Sequence, residues 1–299
     1  MVGKHGSPSA RVPEAVAGNR SEMTSPAAQA AARSSEAGRV LDDGMGLRIK
    51  RTVQAGLRLA HLPLVRSLPT RVAIYFHATG SDERRALRRI AQYYHGCGYT
   101  FVSPDRYLAP GPDRRIFLSF DDTSRLWLDA LGILDEEGVI ATFYLDTAGI
   151  VGEWGAPDGR DPERCLHVDE VRRLADAGHR IGVHTHSHPN LGTMDVPAAL
   201  AEVDRSRYQL SSAVGVDARD FAVPFGMPRN LPEGAVDALL AAGYRSVAFA
   251  TPGMQFARSV PGVIQRSPWD ATRPFEWNQR NLRTDGRVFV RLTGRSPIG

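Results

Sequence analysis

The stretch Arg115-Ile-Phe-Leu-Ser-Phe-Asp-Asp-Thr123 places a short, mostly apolar run directly before two adjacent carboxylates, Asp121 and Asp122. Such a run, bounded by turn residues, is typical of a buried strand. Because α/β folds bind ligands beyond the carboxyl ends of their strands, this position suits a functional site. Where a strand ends, both side chains can face one cavity, one binding a cation and the other handling a proton. Taken alone, an Asp-Asp pair is more typical of a turn or a helix N-cap.

A second apolar run, residues 181–183, is followed by three histidines, His184, His186 and His188. Neutral imidazole is the commonest side-chain metal ligand, so this cluster is a candidate metal site. One helical turn would point His184 and His188 to the same side, whereas an extended backbone would align all three. The zinc peptidase motif His-Glu-x-x-His is excluded, because Thr185 occupies the position of its glutamate.

These two segments together resemble the polysaccharide deacetylase family with NodB homology. Ser119-Phe-Asp-Asp-Thr123 is similar to that family's Thr-Phe-Asp-Asp-Gly motif. His184-Thr-His-Ser-His-Pro189 is similar to its His-[Ser/Thr]-x-x-His-Pro metal motif, and the two lie in the family's order, about sixty residues apart. The resemblance covers roughly residues 70–268 and implies a distorted, incomplete version of the (β/α) barrel.

Short apolar segments alternate with longer amphipathic ones from residue 72 onward. The predicted strands are 72–76, 99–102, 116–120, 140–145, 181–183, 221–226, 245–250 and 263–267. The predicted helices are 82–94, 124–137, 166–178, 197–214 and 235–242. This alternation indicates an α/β fold with a mainly parallel sheet. We therefore predict an α/β fold in the form of a distorted (β/α) barrel of seven or eight mostly parallel strands.

The chain divides into four predicted segments. Residues 1–44 are rich in Ala, Ser, Gly and Pro and are predicted to be a disordered N-terminal tail. Residues 45–69 are predicted to be a basic amphipathic helix or linker; residues 46–68 either pack on the domain or contact an anionic membrane peripherally. The deacetylase-like domain covers 70–270. The C-terminal extension, 271–299, has no assigned role, although residues 287–292 could form a strand.

Composition limits the classes of protein that need consideration. A chain of 299 residues with 42% hydrophobic residues can bury one large domain. Its net charge of +4 comes from scattered arginines, and no segment resembles a nucleic-acid-binding module, so no nucleic-acid partner is predicted. Cys97 and Cys165 are interpreted as ordinary thiols. The sequence has no apolar run of about 20 residues and no signal-peptide core, which favours a cytoplasmic protein.

The resemblance assigns metal-binding and proton-transfer roles to particular residues. Asp122, His184 and His188 would bind a divalent metal, and Asp121 would be the general base. Two imidazoles and one carboxylate leave coordination positions open, as in catalytic zinc sites. We expect Zn²⁺, and Co²⁺, Ni²⁺ or Mn²⁺ would also suit these ligands, because availability decides metal identity as much as ligand type does.

Further positions follow from the same resemblance. Pro224-Phe225-Gly226 is similar to the family's Pro-Tyr-Gly turn, so the backbone N–H of Phe225 would donate to the oxyanion, with Pro224 beside the substrate. His77, at the end of the first strand, would line the substrate groove, or would be a turn histidine with a structural hydrogen bond. Trp269 is a further candidate for substrate contact, in place of the family's Asp-Trp motif, with ordinary packing as its alternative.

Two parts of the family pattern are missing. Ala222 and Val223 stand where many members have an arginine that orients the base. Arg266 resembles an arginine in the closing strand of relatives, or is a surface charge. The late Leu-x-His motif, whose histidine is the general acid, is also absent, since no histidine follows His188.

Protonation of the leaving amine therefore lacks an obvious agent. His77, His186 and Asp121 are the candidates, and we favour Asp121 in both proton-transfer roles.

The leading functional hypothesis is a metal-dependent deacetylase that removes an N-acetyl group from an N-acetylated sugar, either an oligosaccharide or a sugar conjugate. The residues themselves indicate metal-assisted hydrolysis, and the resemblance supplies the substrate class. One alternative is a catalytically degenerate member that binds carbohydrate without turning it over. Another is a deacylase of a small-molecule amide. The sequence leaves the oligomeric state open.

Overall fold

The structure is a computed structural model that describes residues 66–150, 165–254 and 260–287. Its strands are β1 (Arg71–Phe76), β2 (Thr100–Phe101), β3 (Arg115–Asp121), β4 (Thr142–Leu145), β5 (Arg180–Val183), β6 (Asp220–Ala222), β7 (Ser246–Phe249), β8 (Val263–Gln265) and β9 (Ser267–Pro268). Its α-helices are α1 (Ser81–Gly96), α2 (Pro104–Leu108), α3 (Leu131–Glu136), α4 (Val168–Asp176), α5 (Val196–Val214), α6 (Ala235–Ala241) and α7 (Phe275–Arg283).

Several predictions fall outside these residues. They are the disordered tail at 1–44, most of the amphipathic segment at 45–69 with its membrane contact, and nearly all of the strand at 287–292. Among the helices of the described ranges, none combines the length and the apolar character that a membrane crossing requires.

The strands pair in parallel in the order β8-β7-β6-β5-β4-β3-β1-β9, and β2 adds to the start of β3. Arg266 alone separates β8 from β9. Because β8 pairs with β7 and β9 pairs with β1, residues 263–268, here called the closing segment, bring the two edges of the sheet together. The result is a nearly closed barrel, which confirms the predicted α/β barrel fold.

The pleat of the strands divides their residues between two cores. Ile116, Leu118 and Phe120 of β3 pack in the outer core, between the sheet and the helices. Phe117 of β3 belongs to a smaller cluster that fills the barrel, together with Ala73, Tyr144, Ala222, Ala248 and Ile264. Because side chains alternate along a strand, Asp121 shares the inward side of Phe117. β3 therefore carries a carboxylate into the barrel at the carboxyl end of the sheet, which is the end where α/β folds bind ligands.

Two predicted elements differ from the structure. The helix predicted over 124–137 is a 3₁₀ segment, Arg125–Ala130, followed by α3. The C-terminal extension, for which no helix was predicted, contains α7, whose Phe275 and Leu282 are buried in the outer core. Gln279 of α7 donates to the hydroxyl of Tyr94 on α1 at 3.1 Å. Part of the predicted extension at 271–299 is therefore packed on the barrel.

Candidate active site

Asp122, His184 and His188 meet at the carboxyl ends of β3 and β5. One ligand atom from each lies within 4.8 Å of the others. Oδ1 of Asp122 is 3.3 Å from Nε2 of His184 and 3.3 Å from Nε2 of His188. This oxygen is buried and accepts no hydrogen bond from the described residues. A buried carboxylate oxygen without a hydrogen bond is uncommon, and its place between two imidazole nitrogens fits a divalent metal ion.

The turns that carry these residues have unusual backbone conformations. The non-glycine residues with positive φ in the described ranges are Asp122 (77°), Thr123 (44°), Thr185 (72°), His188 (55°) and Phe225 (60°). All five follow the carboxyl ends of β3, β5 or β6. Such conformations persist where surrounding structure holds them, and they concentrate at functional sites.

The histidine segment is neither a helical turn nor an extended chain. The hydroxyl of Thr185 accepts a hydrogen bond from the backbone N–H of His188 at 3.0 Å, which folds the segment back on itself. His184 and His188 thereby approach each other, with ring centroids 4.9 Å apart. Nδ1 of His186 instead lies 3.0 Å from the hydroxyl of Thr147. The third histidine is therefore directed away from the other two.

His184 is held by a second hydrogen bond on the far side of its ring. Its Nδ1 donates to the backbone carbonyl of Ala222 at 2.8 Å. Because a carbonyl can only accept, the proton of the neutral ring belongs on Nδ1, and the unprotonated nitrogen is then Nε2, which faces Asp122. Burial by itself lowers the pKa of His184, but the nearby Asp122 and Asp121 raise it above the ordinary value. For Asp122, burial acts to raise the pKa, and the contacts with His184 and His188 lower it well below its usual range.

Asp121 is fixed by an arginine from the closing segment. Nη1 and Nη2 of Arg266 donate to the two carboxylate oxygens of Asp121 at 2.7 and 2.9 Å. Nη1 also donates to Ser119 at 3.0 Å. The guanidinium lies against two aromatic rings, 4.8 Å from the ring centroid of Tyr75 and 5.2 Å from that of Tyr144. The surface-charge alternative for Arg266 is wrong, since its side chain is fully buried. Arg266 thus provides the positive charge beside Asp121 that Ala222 and Val223 cannot provide.

These residues surround an open cavity of about 330 Å³. Its lining consists of Tyr75, His77, Asp121, Asp122, His184, His188, Val223, Phe225, Gly226 and Ala250. His77 lies at this cavity, with Nε2 3.7 Å from Oδ2 of Asp122. Pro224, His186 and Trp269 do not contribute to the lining. Trp269 packs against Phe275 with ring centroids 5.1 Å apart, which matches the packing alternative for this residue.

The Pro-Phe-Gly turn presents a free donor at the cavity. Gly226 has φ 69°, and a Cβ at this position would lie 2.2 Å from the Cβ of Ala250, so the close approach requires glycine. The ring of Phe225 is 60% exposed and contacts His188 edge-on at 4.8 Å. Its backbone N–H has no acceptor among the described residues. A free N–H at a cavity wall suits the predicted role as an oxyanion donor.

Comparison with known protein families gives a match over the middle of the chain, which contains most of these site residues. The sequence profile described as "Polysaccharide deacetylase" matches residues 109–247. A chitooligosaccharide deacetylase from Rhizobium leguminosarum bv. trifolii is 33% identical over 107 residues, which are 35% of this chain and 43% of the relative. A peptidoglycan-N-acetylglucosamine deacetylase from Bacillus cereus is 27% identical over 132 residues, which are 43% of each chain. The chain thus spans less than half the length of these curated relatives.

Solved structures support the fold. A de-N-acetylase from Aggregatibacter actinomycetemcomitans superimposes with a TM-score of 0.58 at 16% identity. The superposition covers 71% of this chain and 99% of the other. At this level of identity the similarity concerns the barrel, and the site has to be argued from its own residues.

Proposed function

We propose that this chain, whose residues 109–247 match the polysaccharide deacetylase family profile, is a metal-dependent hydrolase that removes the N-acetyl group from an N-acetylated sugar. The single observation that carries this proposal is the convergence of Asp122, His184 and His188 beside an Asp121 that Arg266 holds in place. Two matched relatives are named for chitooligosaccharide and for peptidoglycan N-acetylglucosamine, which supports an N-acetylhexosamine within an oligosaccharide or a sugar conjugate.

The site would hold one divalent cation through Asp122, His184 and His188. When bound, such an ion polarises the acyl carbonyl and makes an attacking water easier to deprotonate. We propose Zn²⁺, and Co²⁺, Ni²⁺ or Mn²⁺ are also compatible with two imidazoles and a carboxylate. The buried, unbonded Oδ1 of Asp122 supports a cation at this position.

The remaining residues of the cavity handle protons and charge. Asp121 takes the proton of the attacking water while the water oxygen bonds to the acyl carbon. Arg266 engages both oxygens of Asp121, so the carboxylate keeps one orientation during this step. The free N–H of Phe225 donates to the oxygen that becomes negatively charged. The C–N bond then breaks, and the amine nitrogen receives a proton, which gives acetate and a free amino sugar.

We propose that Asp121 returns its proton to the leaving amine. His186 is engaged with Thr147, which leaves His77 as the imidazole at the cavity that is not a proposed metal ligand. Asp121→Asn and His77→Gln variants separate the two donors. We expect turnover to fall by at least about 100-fold in Asp121→Asn and by less than about tenfold in His77→Gln, with metal content unchanged. Near-full turnover by metal-loaded Asp121→Asn would refute the dual role.

The proposal is tested by elemental analysis of the purified full chain, paired with acetate release from a panel of N-acetylhexosamine oligomers. His184→Ala should lose both the metal and acetate release. His95→Ala is the matched control, because His95 is an exposed histidine on α1. Stoichiometric metal without acetate, but with release of another acyl group, would favour the small-molecule amide alternative. A parent chain that binds no metal after reconstitution would favour the binding-only alternative.

A further inference from the structure

The residue directly after the two carboxylates is a threonine, where the family's motif has glycine. Thr123 has φ 44° and follows Asp122 with φ 77°, so two consecutive non-glycine residues adopt left-handed conformations. A β-branched residue at positive φ is a marked outlier, and glycine would adopt the same turn without strain. The backbone alone therefore gives no reason for threonine here.

The side chain of Thr123 makes two hydrogen bonds that glycine cannot make. Its hydroxyl donates to the carbonyl of Asp146 at 3.1 Å and accepts from the N–H of Asp146 at 2.9 Å. Thr123 is buried, with 2% of its surface exposed. Asp146 is the first residue after β4. The hydroxyl thus attaches the turn of Asp121 and Asp122 to the end of the neighbouring strand.

The same segment after β4 is attached to the histidine turn on its other side. The N–H of Thr147 donates to the carbonyl of Thr185 at 3.2 Å, and the N–H of Ala148 donates to that of His186 at 2.8 Å. The hydroxyl of Thr185 in turn accepts from the N–H of His188. Residues 146–148 therefore lie between the two turns and are hydrogen-bonded to both.

We propose that Thr123 is a positioning residue for the Asp122–His184–His188 group. Its hydroxyl fixes the Asp122 turn against residues 146–148, and these residues fix the histidine turn, so the spacing of the three ligands depends on this hydroxyl. Thr123 itself contacts neither metal nor substrate in this role. The inference rests on the proposed function, because it treats the three residues as metal ligands.

The test is the zinc affinity of the metal-free full chain, measured by competition with a chromophoric chelator. Thr123→Val keeps the shape and the β-branch but removes the hydroxyl, and we expect it to weaken zinc binding by about 10- to 100-fold. Thr123→Ser keeps the hydroxyl and should stay within about threefold of the parent. Thr142→Val is the matched control: Thr142 is a buried threonine of β4 whose hydroxyl has no hydrogen-bond partner in the described residues, so its loss should leave affinity unchanged.

Thr123→Gly separates the hydroxyl from the backbone strain. It removes the hydroxyl but supplies the residue best suited to positive φ, and we expect weakened zinc binding even where its thermal stability equals that of the parent. Parent-like affinity in both Thr123→Val and Thr123→Gly would overturn the inference and leave the proposed function intact. A parent chain that binds none of Zn²⁺, Co²⁺, Ni²⁺ and Mn²⁺ would overturn the proposed function, and this inference with it.

Discussion

The buried pair of Asp121 and Arg266 can be tested by a double-mutant cycle. The three variants are Arg266→Met, Asp121→Asn and the combination of both. Each single change leaves one charge inside the barrel without its counter-ion, whereas the double change leaves two neutral side chains of similar size. We therefore expect the double variant to lose less free energy of unfolding than the sum of the losses in the two single variants.

The magnitude follows from the surroundings of each charge. Arg266 is fully buried and the side chain of Asp121 is only 5% exposed, so loss of one partner should cost about 3–5 kcal/mol. The rings of Tyr75 and Tyr144 continue to face the guanidinium when Asp121 is replaced, and cation–π contact offsets about 1–2 kcal/mol. Arg266→Met should therefore be the more damaging single change, and the coupling energy should reach at least about 2 kcal/mol.

The assay is urea unfolding of the metal-free protein in the presence of a chelator, so that metal binding does not contribute. Circular dichroism reports on the whole fold, and fluorescence reports on the four tryptophans of the chain, of which Trp127 is fully buried. Coincident transitions for the two probes allow the free energies of unfolding to be compared. Single effects that add to the double effect within about 0.5 kcal/mol would refute the view that the pair acts as a unit.

Three further predictions concern other parts of the barrel. Phe275→Ala should lower the free energy of unfolding by about 3–4 kcal/mol, because Phe275 anchors α7 in the outer core; a loss below 1 kcal/mol by urea unfolding would contradict this. Tyr144→Phe should be neutral or stabilising by up to about 1 kcal/mol, since the buried hydroxyl has no hydrogen-bond partner in the described residues, and a loss above 2 kcal/mol would disagree. Burial lowers the pKa of His179, so its contribution to stability is present above its unfolded pKa of about 6.5 and is lost as the pH falls through the lower folded value. The stability of His179→Gln, measured from pH 7 down to pH 5, should fall less than that of the parent, and parallel curves would reject this assignment.

The barrel was predictable because its strands are marked in the local sequence by short apolar runs. β3 is mostly apolar between Arg115 and Asp121 and is buried at every residue, as a strand with neighbours on both sides requires. Asp121, Asp122, His184 and His188 could be selected as candidates because chemistry-bearing residues follow directly on such runs, and the structure places the four at one cavity. Local sequence was sufficient for these features.

Features that depend on distant partners were harder to predict. Whether Arg266 points outward or into the barrel depends on how the closing segment divides its pairing between β7 and β1, which the local pattern does not contain. The α7 helix was missed because polar residues interrupt its apolar positions; two of them, Asn278 and Gln279, are buried by partners elsewhere in the chain. The available signal was Asp121 itself: a carboxylate buried at the end of a strand requires a cation beside it, and this requirement could have selected Arg266.

The closing segment also has a consequence for biosynthesis. Arg266 lies 145 residues after Asp121, so a ribosome makes most of the barrel before it makes the counter-ion for this carboxylate. Until residues 263–268 have been synthesised, the edges of β1 and β7 that this segment covers remain unpaired. Asp121 also lacks Arg266, the arginine that pairs with it inside the barrel. Completion of the closing segment therefore has two results: the edges of the sheet become paired, and Arg266 orients the carboxylate of Asp121. A polypeptide released before that point would have neither a complete barrel nor an oriented carboxylate.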